Sequence, residues 1–173
     1  MMGVSAPDAS GFFEGYASLF GVPDLSHDVV MPGAFKQSLA TSGTGGVKLL
    51  WQHDPAQPVG LWTSLEEDKR GLRCQGQLNL DVQRGREIYA LLRQGAVDGL
   101  SIGFKTVRSR KDAAHGGRQL LAIELWEISV VTFPLLPEAR ISVVKARPDP
   151  LSLLPASEAL LDRARKIFNA PNR

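Results

Sequence analysis

Apolar and polar residues alternate along most of this chain, the two-residue period of half-buried strands, and helical spacing is confined to a few short stretches. GFFEGYASLFG at 11–21 alternates, is rich in aromatics and predicts a first strand, bulged at Gly15. In MPGAFKQSLATSG at 31–43, Ala34, Phe35, Leu39 and Ala40 fall near helical spacing with glycine behind them, which predicts a short helix. VKLLWQHDP at 47–55 follows as a strand that ends where Pro55 removes a donor. PVGLWTSLEED and GLRCQGQLNLD read as a hairpin turned around Asp68 to Gly71. Residues 82–94 carry Ile88, Leu91 and Leu92 on one side of a helix, with Asp81 as N-cap and Gly95 as its stop.

Further along, LSIGFKTVRS and QLLAIELWEISVVTF form another hairpin around the polar loop RKDAAHGGR, and ARISVVKA at 139–146 is a last strand beyond Pro134 and Pro137. RPDPLSLLP at 147–155 then reads as an extended Pro-rich linker, and 156–173 as a C-terminal amphipathic helix and tail bearing Leu160, Leu161, Ala164, Ile167 and Phe168. The core domain is thus expected over 1–146. About seven strands, mostly joined as hairpins, can protect their edges by closing up. VKLLW and LLAIELWEISVV are apolar on both faces, which fits a sheet covered on both sides. The expected fold is β-rich (α+β), a closed, mostly antiparallel β-barrel with a few helices around it.

Composition narrows the possibilities without deciding among them. At 173 residues, 43% hydrophobic and 22% charged, the chain is expected to be a single globular domain with a real core. No apolar run approaches the roughly 20 residues of a membrane helix, and MMGVSAPDAS lacks the regions of a signal peptide, so no membrane partner and a cytoplasmic location are expected. The lone Cys74 has no internal disulfide partner and reads as a small buried thiol. A net charge of +2, without interleaved aromatic and basic residues, argues against a nucleic-acid partner.

Candidate chemistry gathers at DGLSIGF, residues 98–104. In a strand, Leu100, Ile102 and Phe104 share one face while Gly99, Ser101 and Gly103 share the other. Strand glycines mark places where another backbone or a ligand comes close, so Gly99 and Gly103 would clear an approach for substrate to Ser101 as nucleophile. The plain alternative is a helix crossing over the glycines, with Ser101 merely hydrogen-bonded there. A serine nucleophile needs a base, and the base needs an orienting group. Of the three histidines, His27 lies in a turn-like loop and His115 at a loop tip, whereas His53 ends a strand at a sheet rim before DPAQPVG. Glu124 and Glu127 lie on opposite faces of the strand at 119–133, each among apolar neighbours. A buried carboxylate needs a partner, either a histidine that takes up a proton or one of Arg108, Arg110 and Arg118. GLSIG also matches the G-x-S-x-G nucleophile elbow, but FKTVRSR continues it as strand rather than helix, so that context fails.

Taken together, GYASLFG, MPGAF, LLWQHDPAQPVG, GREIYALLRQGAVDGLSIGF and LWEISVVTFP, in this order over residues 11–146, resemble the prohead (capsid maturation) serine proteases of tailed phages, distantly related in fold to the herpesvirus assemblins. The resemblance implies an assemblin-like fold and a serine protease with His53, Ser101 and, by its place in LWEISVV, Glu127. Assemblins carry a second histidine at that third place, so Glu127 departs from their pattern, and the strand's other carboxylate, Glu124, stands as the alternative orienting acid. Oxyanion donors would come from the turn PLLPEAR at 134–140. Implied substrates are scaffold protein, a scaffold-like N-terminal extension of the major capsid protein, and the protease itself, with a nick expected at 147–155. The place of action would be the procapsid within the bacterial cytoplasm. No cofactor or metal is implied, and homo-oligomerisation is left open. Two other readings stand beside this one: a non-catalytic capsid assembly or scaffold protein with the same barrel, and a small serine esterase using Ser101.

Overall fold

The computed structural model describes residues 11–114 and 116–144. His115, the expected linker at 147–155, the helix at 156–173 and the domain boundary at 146 lie outside the described residues. In chain order the elements are β1 (Phe12–Leu19), β2 (Val29–Val30), α1 (Lys36–Gly46), β3 (Lys48–Trp51), β4 (Asp54–Glu67), β5 (Gly71–Leu78), α2 (Gln83–Gln94), β6 (Gly99–Lys111), β7 (Arg118–Val131) and β8 (Ile141–Val144). Hydrogen-bonded neighbours follow the order β2-β7-β3-β4-β5-β1-β8, with β6 pairing β7. The hairpins expected at β4/β5 and β6/β7 are both present and antiparallel.

β7 organises the sheet. It runs antiparallel to β6 along nearly its whole length, while its other edge takes β2 and β3 in parallel near its two ends. Between those two partners the edge would be left with unpaired N–H groups, which are costly when buried. α1 and the turn before it fill the gap, where Ile123 N–H donates to the Ala34 carbonyl at 3.0 Å and Leu125 N–H to Ser38 Oγ at 2.9 Å. The run Glu127–Val131 is accordingly buried on both faces.

The named strands do not form a continuous closed ring. The segment entering β8 meets the start of β6 through one isolated bridge, Gly99 to Arg140. The expectation of a β-rich fold holds, and its closure into a barrel by a full hydrogen-bonded ladder is not confirmed. Inside, Phe13, Phe35, Leu49, Leu72, Ile88 and Leu100 are fully or almost fully buried in one apolar core. Cys74 belongs to that core, where burial pushes its thiol pKa up to about 12.

Several local expectations are corrected. The MPGA stretch forms a turn, and α1 begins only at Lys36 and carries a kink at Gly43, whose φ is 61°. Phe35, at the N-cap, has no capping side chain of its own. The Glu67 carboxylate at the end of β4 instead pins the preceding turn, accepting the N–H groups of Gly33 at 3.0 Å and Phe35 at 2.7 Å. In α2 the N-cap is Val82 rather than Asp81, and Gly95 ends the helix at φ 69° as expected. Pro55 does not end a strand; it lies inside β4, next to register shifts in the β3/β4 pairing that tolerate a residue without an N–H.

Candidate active site

The register of β6 on β7 sets Ser101 opposite Ser129 and Gly103 opposite Glu127. Residues directly opposite in an antiparallel pair share a face, with Cβ atoms about 4.5–5.5 Å apart. Ser101, Ser129 and Glu127 therefore line up on one side of the sheet, as the alternation in sequence predicts. β3 lies along the opposite edge of β7, with Lys48 beside Glu127, Leu50 beside Ser129 and Trp51 beside Val130. The chain leaving β3 thus arrives at the same place from the other side.

His53 is not the last residue of that strand, as its sequence suggested. Trp51 pairs with Asp54, so Gln52 and His53 make a two-residue hairpin turn with φ of 53° and 59°. Positive φ at both positions is the signature of a type I′ turn, normally an Asn-Gly site. Non-glycine residues there are strained by roughly 1–2 kcal/mol each. Hydrogen bonds to β7 oppose the strain. Gln52 N–H donates to the Val130 carbonyl at 3.0 Å, its side-chain amide donates to Thr132 Oγ1 at 2.7 Å, and Thr132 N–H returns to Gln52 Oε1 at 3.3 Å. His53 N–H donates to Ser129 Oγ at 3.1 Å. At about 0.5–1.5 kcal/mol each, these bonds match the strain and hold the imidazole over β7.

The His53 ring meets Glu127, Nδ1–H donating to Oε1 at 2.6 Å. The side chain of His53 is 44% exposed and that of Glu127 only 11%, so the acid is shielded and the ring half open. A carboxylate can only accept, so Nδ1 carries the proton, and in the neutral ring Nε2 keeps a free lone pair. The hydrogen bond to Glu127 raises the His53 pKa above its ordinary 6.5, with desolvation opposing and the Glu127 charge adding to the rise. Glu127 Oε2 accepts a second hydrogen bond, from Ser129 Oγ–H at 2.6 Å.

Ser101 is largely buried, and its hydroxyl makes no hydrogen bond among the described residues. Buried side-chain oxygen and nitrogen atoms in the described part are otherwise all partnered, so this hydroxyl keeps contact with solvent. A cavity of about 30 Å³ borders it.

The space around the glycines is filled from within the protein. A Cβ at Gly103 would lie 2.1 Å from Glu127 Oε1, and one at Gly99 2.8 Å from the Pro134 ring. The expectation that these two positions clear a path for substrate is revised on this geometry: Gly103 makes room for the acid, and Gly99 for Pro134. Glu124 is exposed on the opposite face and lines a groove against α1 with Gln37 and Thr41, away from His53. Arg118 pairs with Asp28 and Arg110 with Gln119, so neither takes Glu127. His27, at φ 64°, belongs to a turn closed by its N–H bond to the Asp24 carbonyl.

Sequence reasoning missed Ser129 and the Gln52 clamp. Ser129 was readable as a lone hydroxyl in an apolar run, two residues from Glu127 and on its face. Among the described residues no group of three or more His, Cys, Asp or Glu could hold a metal ion, and no helix is long and apolar enough to cross a membrane.

Residues 2–152 match the family described as caudovirus prohead serine protease. The chain is 39% identical over 138 residues to the prohead protease of Enterobacteria phage HK97, which covers 79% of this chain and 61% of that one. It is 27% identical over 124 residues to the prohead protease of Escherichia phage T5, 71% of this chain and 58% of that one. A capsid polyprotein of Pseudomonas phage PAJU2 matches at 31% over 130 residues, 72% of this chain and 19% of the polyprotein. The chain therefore spans about three fifths of the length of the two prohead proteases. Among solved structures, the bacteriophage T4 capsid assembly protease aligns with a TM-score of 0.54 at 13% identity, over 71% of this chain and 82% of that one. The Kaposi's sarcoma herpesvirus protease bound to a hexapeptide phosphonate inhibitor aligns at 0.52 and 12% identity, over 92% and 77%. Both likenesses concern the fold, and both fit the β-rich architecture described above. With the family match running through all of the described residues, the chain belongs to the caudovirus prohead serine proteases.

Proposed function

We propose that this chain is a serine endopeptidase of procapsid maturation, with Ser101 as nucleophile, His53 as base and Glu127 as the orienting acid. The observation that carries the reading is the His53 to Glu127 hydrogen bond, which fixes the tautomer and leaves Nε2 as a free acceptor. It sits beside the strand position of Ser101 through their common neighbour Ser129. Nε2 takes the proton from the Ser101 hydroxyl as the oxygen attacks a peptide carbonyl, and returns it to the leaving amine. Glu127 holds the ring and stabilises its cation. Water then enters and His53 repeats the same transfer to release the acid product. The turn at 134–140, joined to β6 by the Leu100 N–H bond to the Ala139 carbonyl, is the proposed source of oxyanion donors.

The substrates proposed are scaffold protein or a scaffold-like extension of the major capsid protein, and the chain itself, inside the procapsid of a phage or phage-like particle in the bacterial cytoplasm. Support comes from relatives named prohead protease and from one named capsid polyprotein. The test is to follow intact mass over hours for the wild type and Ser101→Ala, each alone and co-expressed with the cognate capsid protein. Cleavage of either protein by the wild type alone is the expected result. Cleavage that persists in Ser101→Ala, or none in any mixture, would overturn the reading.

A further inference from the structure

We propose that Ser129 is a positioning residue, one hydroxyl that sets the Glu127 carboxylate and the turn bearing His53 together. The proposal rests on the serine protease reading above and deepens it. Ser129 is completely buried in an otherwise apolar stretch of β7, where a hydroxyl must be paired. Both of its pairings belong to the site. Its one donor goes to Glu127 Oε2 at 2.6 Å, and a lone pair takes the His53 N–H at 3.1 Å.

The consequences differ for the two partners. The terminal torsion of a glutamate is broad, so a single bond to His53 would leave the carboxylate plane free to swing. With Ser129 on Oε2 and His53 on Oε1, each oxygen has its own donor and the plane is fixed. Gly103 supplies the floor, since the carboxylate lies in the space a Cβ there would occupy. On the other side, His53 has a positive φ and needs its N–H held to remain there. Ser129 and Val130 at the end of β7, with Thr132 just beyond it, hold the two turn residues. Losing the hydroxyl releases acid and base at once.

A serine present only for packing would affect stability and nothing else. The test therefore follows the His53 ring by NMR titration of the full chain in wild type, Ser129→Ala, Ser129→Thr and Glu127→Gln. Alongside it runs the rate at which a fluorophosphonate labels Ser101. In Ser129→Ala the His53 pKa is expected to fall most of the way to its value in Glu127→Gln, and labelling to slow by about 10- to 100-fold, the effect of misplacing a group by about 1 Å. Ser129→Thr, which keeps a hydroxyl, is expected to restore both. An unchanged His53 titration in folded Ser129→Ala overturns the proposal, as does a folded Ser129→Thr no better than the alanine. Should the threonine variant not fold, the alanine titration decides alone. Absence of labelling in the wild type would overturn the protease reading, while the His53 titration still decides the role of Ser129.

Discussion

Glu127 lies over Gly103. The two are register partners on β6 and β7, and a methyl group at 103 would stand 2.1 Å from Oε1 and 2.7 Å from Cδ of the acid. What must move in Gly103→Ala is the tip of a side chain, so the fold is expected to survive and the carboxylate to leave His53. Peptidase activity should fall about 100-fold with little change in Tm. Gly99→Ala is the contrast, because its Cβ would meet the Val131 carbonyl oxygen at 2.6 Å and the Pro134 ring at 2.8 Å. There the cost is overpacking, about 1–3 kcal/mol, read as a lowered Tm. Full activity in Gly103→Ala would place the orienting acid elsewhere.

The two glutamates of β7 separate by the same logic. Glu127→Gln should lower kcat/KM by on the order of 10⁴-fold while the protein stays folded, since the amide cannot stabilise the imidazolium and favours the wrong tautomer. Glu124→Gln, on the opposite face against α1, should leave the rate unchanged. Equal losses in a peptidase assay would refute the assignment.

Acidity acts on the pair in opposite senses for stability and for rate. The His53 pKa is raised in the folded chain by its bond to Glu127, so the stabilisation from that pair is fully present below about 6.5 and is lost as pH rises through the folded value. The base must be neutral to accept a proton, so the rate should instead rise through that same folded value. In Glu127→Gln the residual pH–rate inflection should move down toward 6.5. An inflection that stays in place in the variant would show that another group sets it.

Glu67 anchors the turn that launches α1. Its two charge-assisted hydrogen bonds, from the N–H groups of Gly33 and Phe35, hold that turn ahead of the first helical residue. Glu67→Ala is expected to cost about 1–3 kcal/mol in denaturant unfolding with the active site intact. A variant as stable as wild type would mean that water serves the two turn N–H groups equally well.

The period of two was legible wherever a strand is long. It placed Ser101 on the glycine-bearing face of β6 and Glu127 and Glu124 on opposite faces of β7, and the register and burial agree with those faces. Gly95 marked the end of α2 because a left-handed C-terminal residue has few alternatives to glycine. The turn at Gln52 and His53 was not legible, since neither residue favours positive φ and the bonds that hold them come from β7, almost eighty positions away. Gly103 was recognised as empty, but which neighbour fills the gap depends on tertiary packing, and it is Glu127. The role of Ser129 is not legible in sequence, because a serine among Ile128, Val130 and Val131 has no signal of its two partners, which tertiary structure supplies.

One measurement bears on the nucleophile itself. The full chain is treated with a fluorophosphonate at a pH above the His53 pKa, and intact mass and peptide mapping are read beside Ser101→Ala and His53→Ala. The expected result is a single adduct carried by Ser101, absent from Ser101→Ala and formed only slowly in His53→Ala. An adduct on another residue, or equal labelling with and without His53, would contradict the assignment of Ser101 and His53 as nucleophile and base.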